Sequence, residues 1–155
     1  MIPLSVIFLC NALMFMFLLE EKYNFTFTVL SNLFCFIISF IPAAVLEKAI
    51  ASPFLSSTAA VATNLLVLYI ASLFSSRNNF LQKLFLAVLC FSNYAFSRFA
   101  AECIFGVVPT KISNHAGLFI PVLFYLLFCL VISLCFYRYF HAFSGRNPSL
   151  FIGGL

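Results

Sequence analysis

Five long apolar runs, separated by short polar turns that carry single charges, set the limits on what this chain can fold into. They cover about residues 2–19, 25–46, 54–74, 80–108 and 117–140. A helix crossing a bilayer needs about 20 predominantly apolar residues, with a range of roughly 17 to 25. Each run comes close to or exceeds that length. None alternates polar with apolar residues, as a membrane barrel strand does, and lipid admits only helices and closed barrels. The sequence therefore predicts an all-α, polytopic membrane protein: a single helical domain of about five spans, without internal repeats or low-complexity linkers.

Composition agrees with that reading. Hydrophobic residues make up 65% of the chain, charged residues 8%, and the mean hydropathy is +1.16. A soluble domain is about half apolar and a quarter charged, so this chain lacks the polar surface that water requires. The net charge of +4 comes from eight Lys and Arg scattered singly among the apolar runs. That pattern fits charges that set membrane topology, not a basic stripe for nucleic acid. The six cysteines, Cys10, Cys35, Cys90, Cys103, Cys129 and Cys135, lie in apolar segments without C-x-x-C spacing. They read as small buried apolar residues.

Basic residues are retained on the cytoplasmic side of a membrane. With the N-terminus outside, Lys22, Arg77, Lys83, Arg138 and Arg146 fall inside, against Lys48 and Lys111 outside. The expected orientation is N-out, C-in, in the plasma membrane. The first run has no basic leader and no A-x-A site after it, so it is expected to remain as a span. Residues 141–155 are polar and then apolar again, either a tail at the cytoplasmic interface or the start of a sixth span.

Ionisable residues inside spans are costly and mark functional candidates. Arg98 and Glu102 lie i,i+4 on the fourth run and share a helix face. At about 1.5 Å per residue they sit roughly 22 and 28 Å along the helix from Lys83, in its outer half. They form either a structural ion pair near the outer interface or a site for an external ligand. Asn11, Asn32, Asn64 and Asn93 each lie well inside a different run. Such amides hydrogen-bond across helices for about 0.6 to 2 kcal/mol each, or else line a pocket. Ser56, Ala60 and Asn64, and likewise Ser97 and Ala101, recur at a spacing that lets helix backbones approach closely.

His115 and His141 have no companions at metal-ligand spacing, so no metal site is expected. Pro42 and Pro121 are positioned to kink helices. The Asn24-Phe25-Thr26 sequon falls on the expected cytoplasmic side and is not expected to be glycosylated. The chain has no aspartate and four glutamates, and it lacks the common nucleotide-binding, nucleophile-elbow and zinc-protease motifs. Neither catalysis nor a cofactor is expected.

The order of features includes a short first span, Glu20-Glu21-Lys22, Ser52-Pro53 before the third span, Leu73-Phe74 and a basic turn, and Lys83-Leu84-Phe85 opening the fourth. This layout, over residues 1–140, resembles the membrane-sensor half of the GHKL-type sensor histidine kinases of Gram-positive bacteria, the peptide quorum-sensing kind. The resemblance implies a bundle that receives an outside signal and passes it to a cytoplasmic kinase. The sequence holds no phosphoacceptor context or ATP-binding domain, so the resemblance implies a detached sensor module or part of a longer protein. The expected function is thus a receptor-like module that senses an external ligand and couples to a cytoplasmic partner. Two alternatives stand beside it: the membrane subunit of a vitamin-type importer with the asparagines as its pocket, and a structural or assembly subunit of a larger complex. The expected partners are the lipid bilayer, other membrane or cytoplasmic subunits and a second copy of the chain, not nucleic acid.

Overall fold

The computed structural model describes residues 3–20, 22–23, 25–107 and 116–142. These form six α-helices and no β-strand: α1 (Leu4–Leu18), α2 (Phe25–Ile38), α3 (Phe40–Ala49), α4 (Pro53–Ser75), α5 (Phe80–Val107) and α6 (Ala116–Ala142). Three stretches, 26–49, 53–75 and 80–100, are long and apolar enough to cross a membrane. The loop 109–115 and the tail beyond 142 lie outside the described residues.

The second run differs from the single helix expected of residues 25–46, because it is two helices meeting at Ser39. Pro42 has no N–H with which to bond the Ile38 carbonyl, and its ring crowds that carbonyl. Ser39 adds to the break. Its backbone N–H and its hydroxyl both bond the Cys35 carbonyl, at 3.0 and 2.7 Å, and such back-bonding bends helices. Pro42→Ala restores the missing donor. It is expected to align α2 with α3 and to lengthen a spin-label distance measured between positions 30 and 48 to the straight-helix value, about 27 Å along the axis.

Local chemistry sets the other boundaries. Pro53 occupies the first turn of α4, where its fixed φ fits and no donor is lost. Gln82, in the first turn of α5, accepts from the Asn79 backbone N–H at 3.1 Å, the back-reaching half of a capping box. Residues 20–22 and 75–77 exchange antiparallel backbone hydrogen bonds, Lys22 N to Ser75 O and Arg77 N to Glu20 O, both 3.0 Å. The two turns are thereby joined at one end of the bundle.

α1 is the central helix, packed against α2, α4, α5 and α6. It is apolar all round and is buried on most of its circumference, as such a helix must be. The bundle embeds a few polar side chains in an apolar core and is greasy outside. Asn11, Asn64, Ser39 and Ser97 have no exposed surface, whereas Phe74, Leu81 and Leu134 are 70%, 72% and 71% exposed. Hydrocarbon provides the solvent for such an exterior, and helix contacts within it rely on small and polar residues.

Candidate functional site

The asparagines of the sequence reading separate into three kinds. Asn11 of α1 and Asn64 of α4 meet at the bundle centre, where Asn11 Nδ2 donates to Asn64 Oδ1 at 3.0 Å. Asn64 Nδ2 donates to Ser39 Oγ at 2.9 Å, and the Tyr125 hydroxyl of α6 donates to Asn11 Oδ1 at 3.0 Å. With the Ser39 hydroxyl donating to Cys35 O, one chain of donors and acceptors runs Tyr125, Asn11, Asn64, Ser39, Cys35. It ties α6, α1, α4 and the α2/α3 junction together, and its four side chains are fully buried. Each amide oxygen accepts a hydrogen bond and each amide nitrogen donates one, so every amide atom of the polar centre has a partner within it.

Asn93 of α5 belongs to a neighbouring contact. Its Nδ2 donates to Cys129 Sγ of α6 at 3.1 Å, and its Oδ1 accepts from Ser97 at 3.4 Å. Cys90 lies beside Met14, 3.8 Å between sulfurs. Cys10, Cys35, Cys90 and Cys129 are all buried, whereas Cys103 and Cys135 are exposed. Asn32 crosses to no other helix through its amide nitrogen, which donates to Thr28 O one turn back on α2 at 2.9 Å. The spaced small residues of α4 face inward, with Ser56 at 6%, Ala60 at 1% and Asn64 at 0% exposure.

Arg98 holds a separate site between α4 and α5. Its Nη1 donates to Ser57 Oγ at 2.8 Å and to the Tyr94 hydroxyl at 2.9 Å. Tyr94 in turn donates to Ser57 Oγ at 3.2 Å, and Ser57 donates to Phe54 O at 3.1 Å. The guanidinium carbon stands 4.1 Å from the centre of the Phe54 ring, a cation–π contact of the kind arginine favours. Pro53, Phe54 and Ser57 lie in the opening turns of α4, whose N–H groups form the positive end of its dipole. Guanidinium and helix end therefore superpose two positive potentials in a half-buried corner. Chemically such a corner can take a carboxylate or a phosphate. The Glu102 side chain lies outside the described residues, and with it the expected Arg98–Glu102 pair.

Ser39, Ser57, Tyr94 and Tyr125 were absent from the sequence-based candidates. Tyr125 sits among apolar residues in the middle of its run, where its ring passes for another lipid-facing aromatic. Tyr94 offered one usable signal, since it precedes Arg98 by four residues and shares its helix face. No family model, curated protein or solved structure matches this chain.

Proposed function

We propose that this chain is a receptor-like integral membrane module, with five spans and an N-out, C-in orientation in the plasma membrane, that takes an external anionic ligand at Arg98 and couples to a cytoplasmic partner. The observation that carries the reading is the Arg98 corner. A guanidinium anchored by Ser57 and Tyr94 joins α4 to α5 at the end remote from Lys22, Arg77 and Lys83. A carboxylate or phosphate drawing on those N–H groups competes with the two hydroxyls and shifts the balance between α4–α5 arrangements by differential contact. At their other ends the same helices join in the turn that bonds to residues 20–22, which offers a path to the cytoplasmic face. The likeness in layout to the membrane half of peptide-sensing GHKL kinases supports the same reading.

The importer alternative requires amides that face a ligand, and Asn11 and Asn64 are occupied with each other. The assembly alternative draws on one specific feature, an open apolar groove of about 410 Å³ between α4 and α5 lined by residues such as Ala62, Leu66, Val88 and Phe91. It suits a neighbouring helix.

Two measurements test the proposal. Membrane-impermeant thiol reagent on intact cells should label a Lys48→Cys protein and spare Arg77→Cys, in a background with the native exposed cysteines removed; the reverse pattern rejects the orientation. A panel of carboxylate- and phosphate-bearing peptides should contain a binder whose affinity falls about 10- to 100-fold in Arg98→Ala, as loss of a charge-assisted hydrogen bond predicts. The variant should stay monodisperse, and Arg98→Lys should restore only part of the binding. Undiminished binding by Arg98→Ala would remove Arg98 as the recognition point.

A further inference from the structure

The apolar groove and the Arg98 corner lie on one seam between α4 and α5. The groove, about 410 Å³, is lined by Ala62, Leu66, Tyr69, Leu84, Val88 and Phe91 among others. Leu66 and Val88 are 57% and 56% exposed, so it opens sideways to lipid. On α5, Leu84, Val88, Phe91, Tyr94 and Arg98 follow one another at steps of three or four, the spacing of a single helix face. The Phe91 and Tyr94 rings pack 6.4 Å apart, and the Tyr94 hydroxyl accepts from Arg98 Nη1 at 2.9 Å. The guanidinium thus reaches back along α5 to within about one turn of the groove's rim. From Tyr94 to Leu84 is about 15 Å along the helix. That is half of the roughly 30 Å hydrocarbon core, the depth that the chains of one leaflet fill. At the far end Tyr69 of α4 and Phe80 of α5 meet edge to face across the seam at 5.8 Å, and the Lys83 ammonium there is buried and donates to Ser76 O.

We infer that this seam binds one anionic glycerophospholipid of the leaflet at the Arg98 end, its phosphate on the guanidinium and one acyl chain in the groove. The inference rests on the anion site proposed at Arg98 and adds what carries the anion. A small anion in water leaves the groove empty, and a neighbouring helix fills the groove but leaves the corner unused. A ligand charged at one end and apolar over the next 15 Å or so engages both. The tail gains only packing against a shaped surface, since lipid is as apolar as the groove. Selectivity therefore comes from the headgroup. Phosphatidylcholine carries the same phosphate with an ammonium beside it, which the guanidinium and the positive end of α4 repel. Glu102, one turn beyond Arg98 on the same helix face, opposes any anion and keeps the affinity low. A membrane component at high local concentration still fills such a site, where a dilute solute does not.

Native mass spectrometry of the full chain released from detergent micelles reads retained lipid directly. Dipalmitoyl phosphatidylglycerol should be held about tenfold better than dipalmitoyl phosphatidylcholine, the difference expected of one charge-assisted hydrogen bond. Arg98→Gln should erase that preference. Ala62→Phe fills the groove and should lower retention of dipalmitoyl phosphatidylglycerol about fivefold. Dihexanoyl phosphatidylglycerol, whose chains are too short to run the groove, should bind this variant and the wild type alike. Equal retention of the two dipalmitoyl lipids by the wild type, or of dipalmitoyl phosphatidylglycerol by the wild type and Ala62→Phe, overturns the inference. In the second case, Arg98-dependent binding of the dihexanoyl lipid leaves the anion corner standing and removes only the tail. If no anion depends on Arg98, the corner itself falls and the lipid with it. A dimer in lipid-free detergent that Ala62→Phe splits assigns the groove to a second copy of the chain and likewise overturns the inference.

Discussion

Replacing Asn64 with leucine is expected to cost the folded bundle about 3 kcal/mol, since two buried partners lose their bonds at about 1–3 kcal/mol each. Leucine matches asparagine closely in size, so little of that loss comes from packing. It strands the Asn11 Nδ2 donor, which now points at Asn64 Oδ1 from 3.0 Å, and it removes the proton that Ser39 Oγ accepts at 2.9 Å. Neither partner has exposed surface through which lipid headgroups or water can substitute. The deficit should be partly repaid when the whole chain is made apolar. In an Asn11→Leu, Asn64→Leu, Tyr125→Phe protein no amide and no phenol is left unpaired, and replacing both partners of a buried bond is close to neutral. Ser39 retains its bond to Cys35 O. Reversible unfolding in mixed micelles, titrated with a denaturing detergent, measures all three proteins on one scale. A neutral Asn64→Leu, or a triple variant worse than the single, would mean that the chain of bonds does not hold the bundle.

The contrast between those variants bears on what can be read from such a sequence. Hydropathy and length locate the helices, because a span must be apolar along its whole length whatever surrounds it. They carry little information about which way each helix faces. In water an amphipathic pattern marks the buried side, but lipid is as apolar as the core, so α1 and α6 show almost no polar stripe to orient them. The asparagines stood out as polar atoms in hydrocarbon, and Asn11 and Asn64 do meet. Asn32 looks identical in sequence, yet it bonds its own helix, because the Thr28 carbonyl one turn back lies within reach. Nothing in spacing separates those outcomes. The break at Ser39 had a visible cause in Pro42, but its second cause, the serine hydroxyl on Cys35 O, depends on a rotamer. Arg98 was legible as a costly charge. Its cradle of Ser57 and Phe54 comes from another helix, 41 residues away in the case of Ser57, and only the tertiary fold brings them together.

The orientation of α4 leads to the second large effect. Ala60→Phe is expected to destabilise the bundle by about 4 kcal/mol, combining overpacking at about 1–3 kcal/mol with loss of a buried hydrogen bond at about 1–3 kcal/mol. Ala60 is 1% exposed and lies one turn from both Ser56 and Asn64 on the inward stripe of α4. A phenyl group there has no space to enter, so α4 must move away from its neighbours, and the 3.0 Å contact between Asn64 and Asn11 cannot survive that movement. Ala62, two residues on, turns about 200° around the helix axis at 3.6 residues per turn. It faces the open apolar groove beside Leu66 and Val88. Phenylalanine at position 62 adds the same atoms to a lipid-facing surface and should change stability by no more than about 0.5 kcal/mol. The yield of monodisperse protein and the unfolding midpoint in mixed micelles distinguish the two variants directly. If Ala62→Phe proved as damaging as Ala60→Phe, the azimuth of α4 would be wrong, and with it the facing assigned to Asn64, Ser57 and every residue hydrogen-bonded to them.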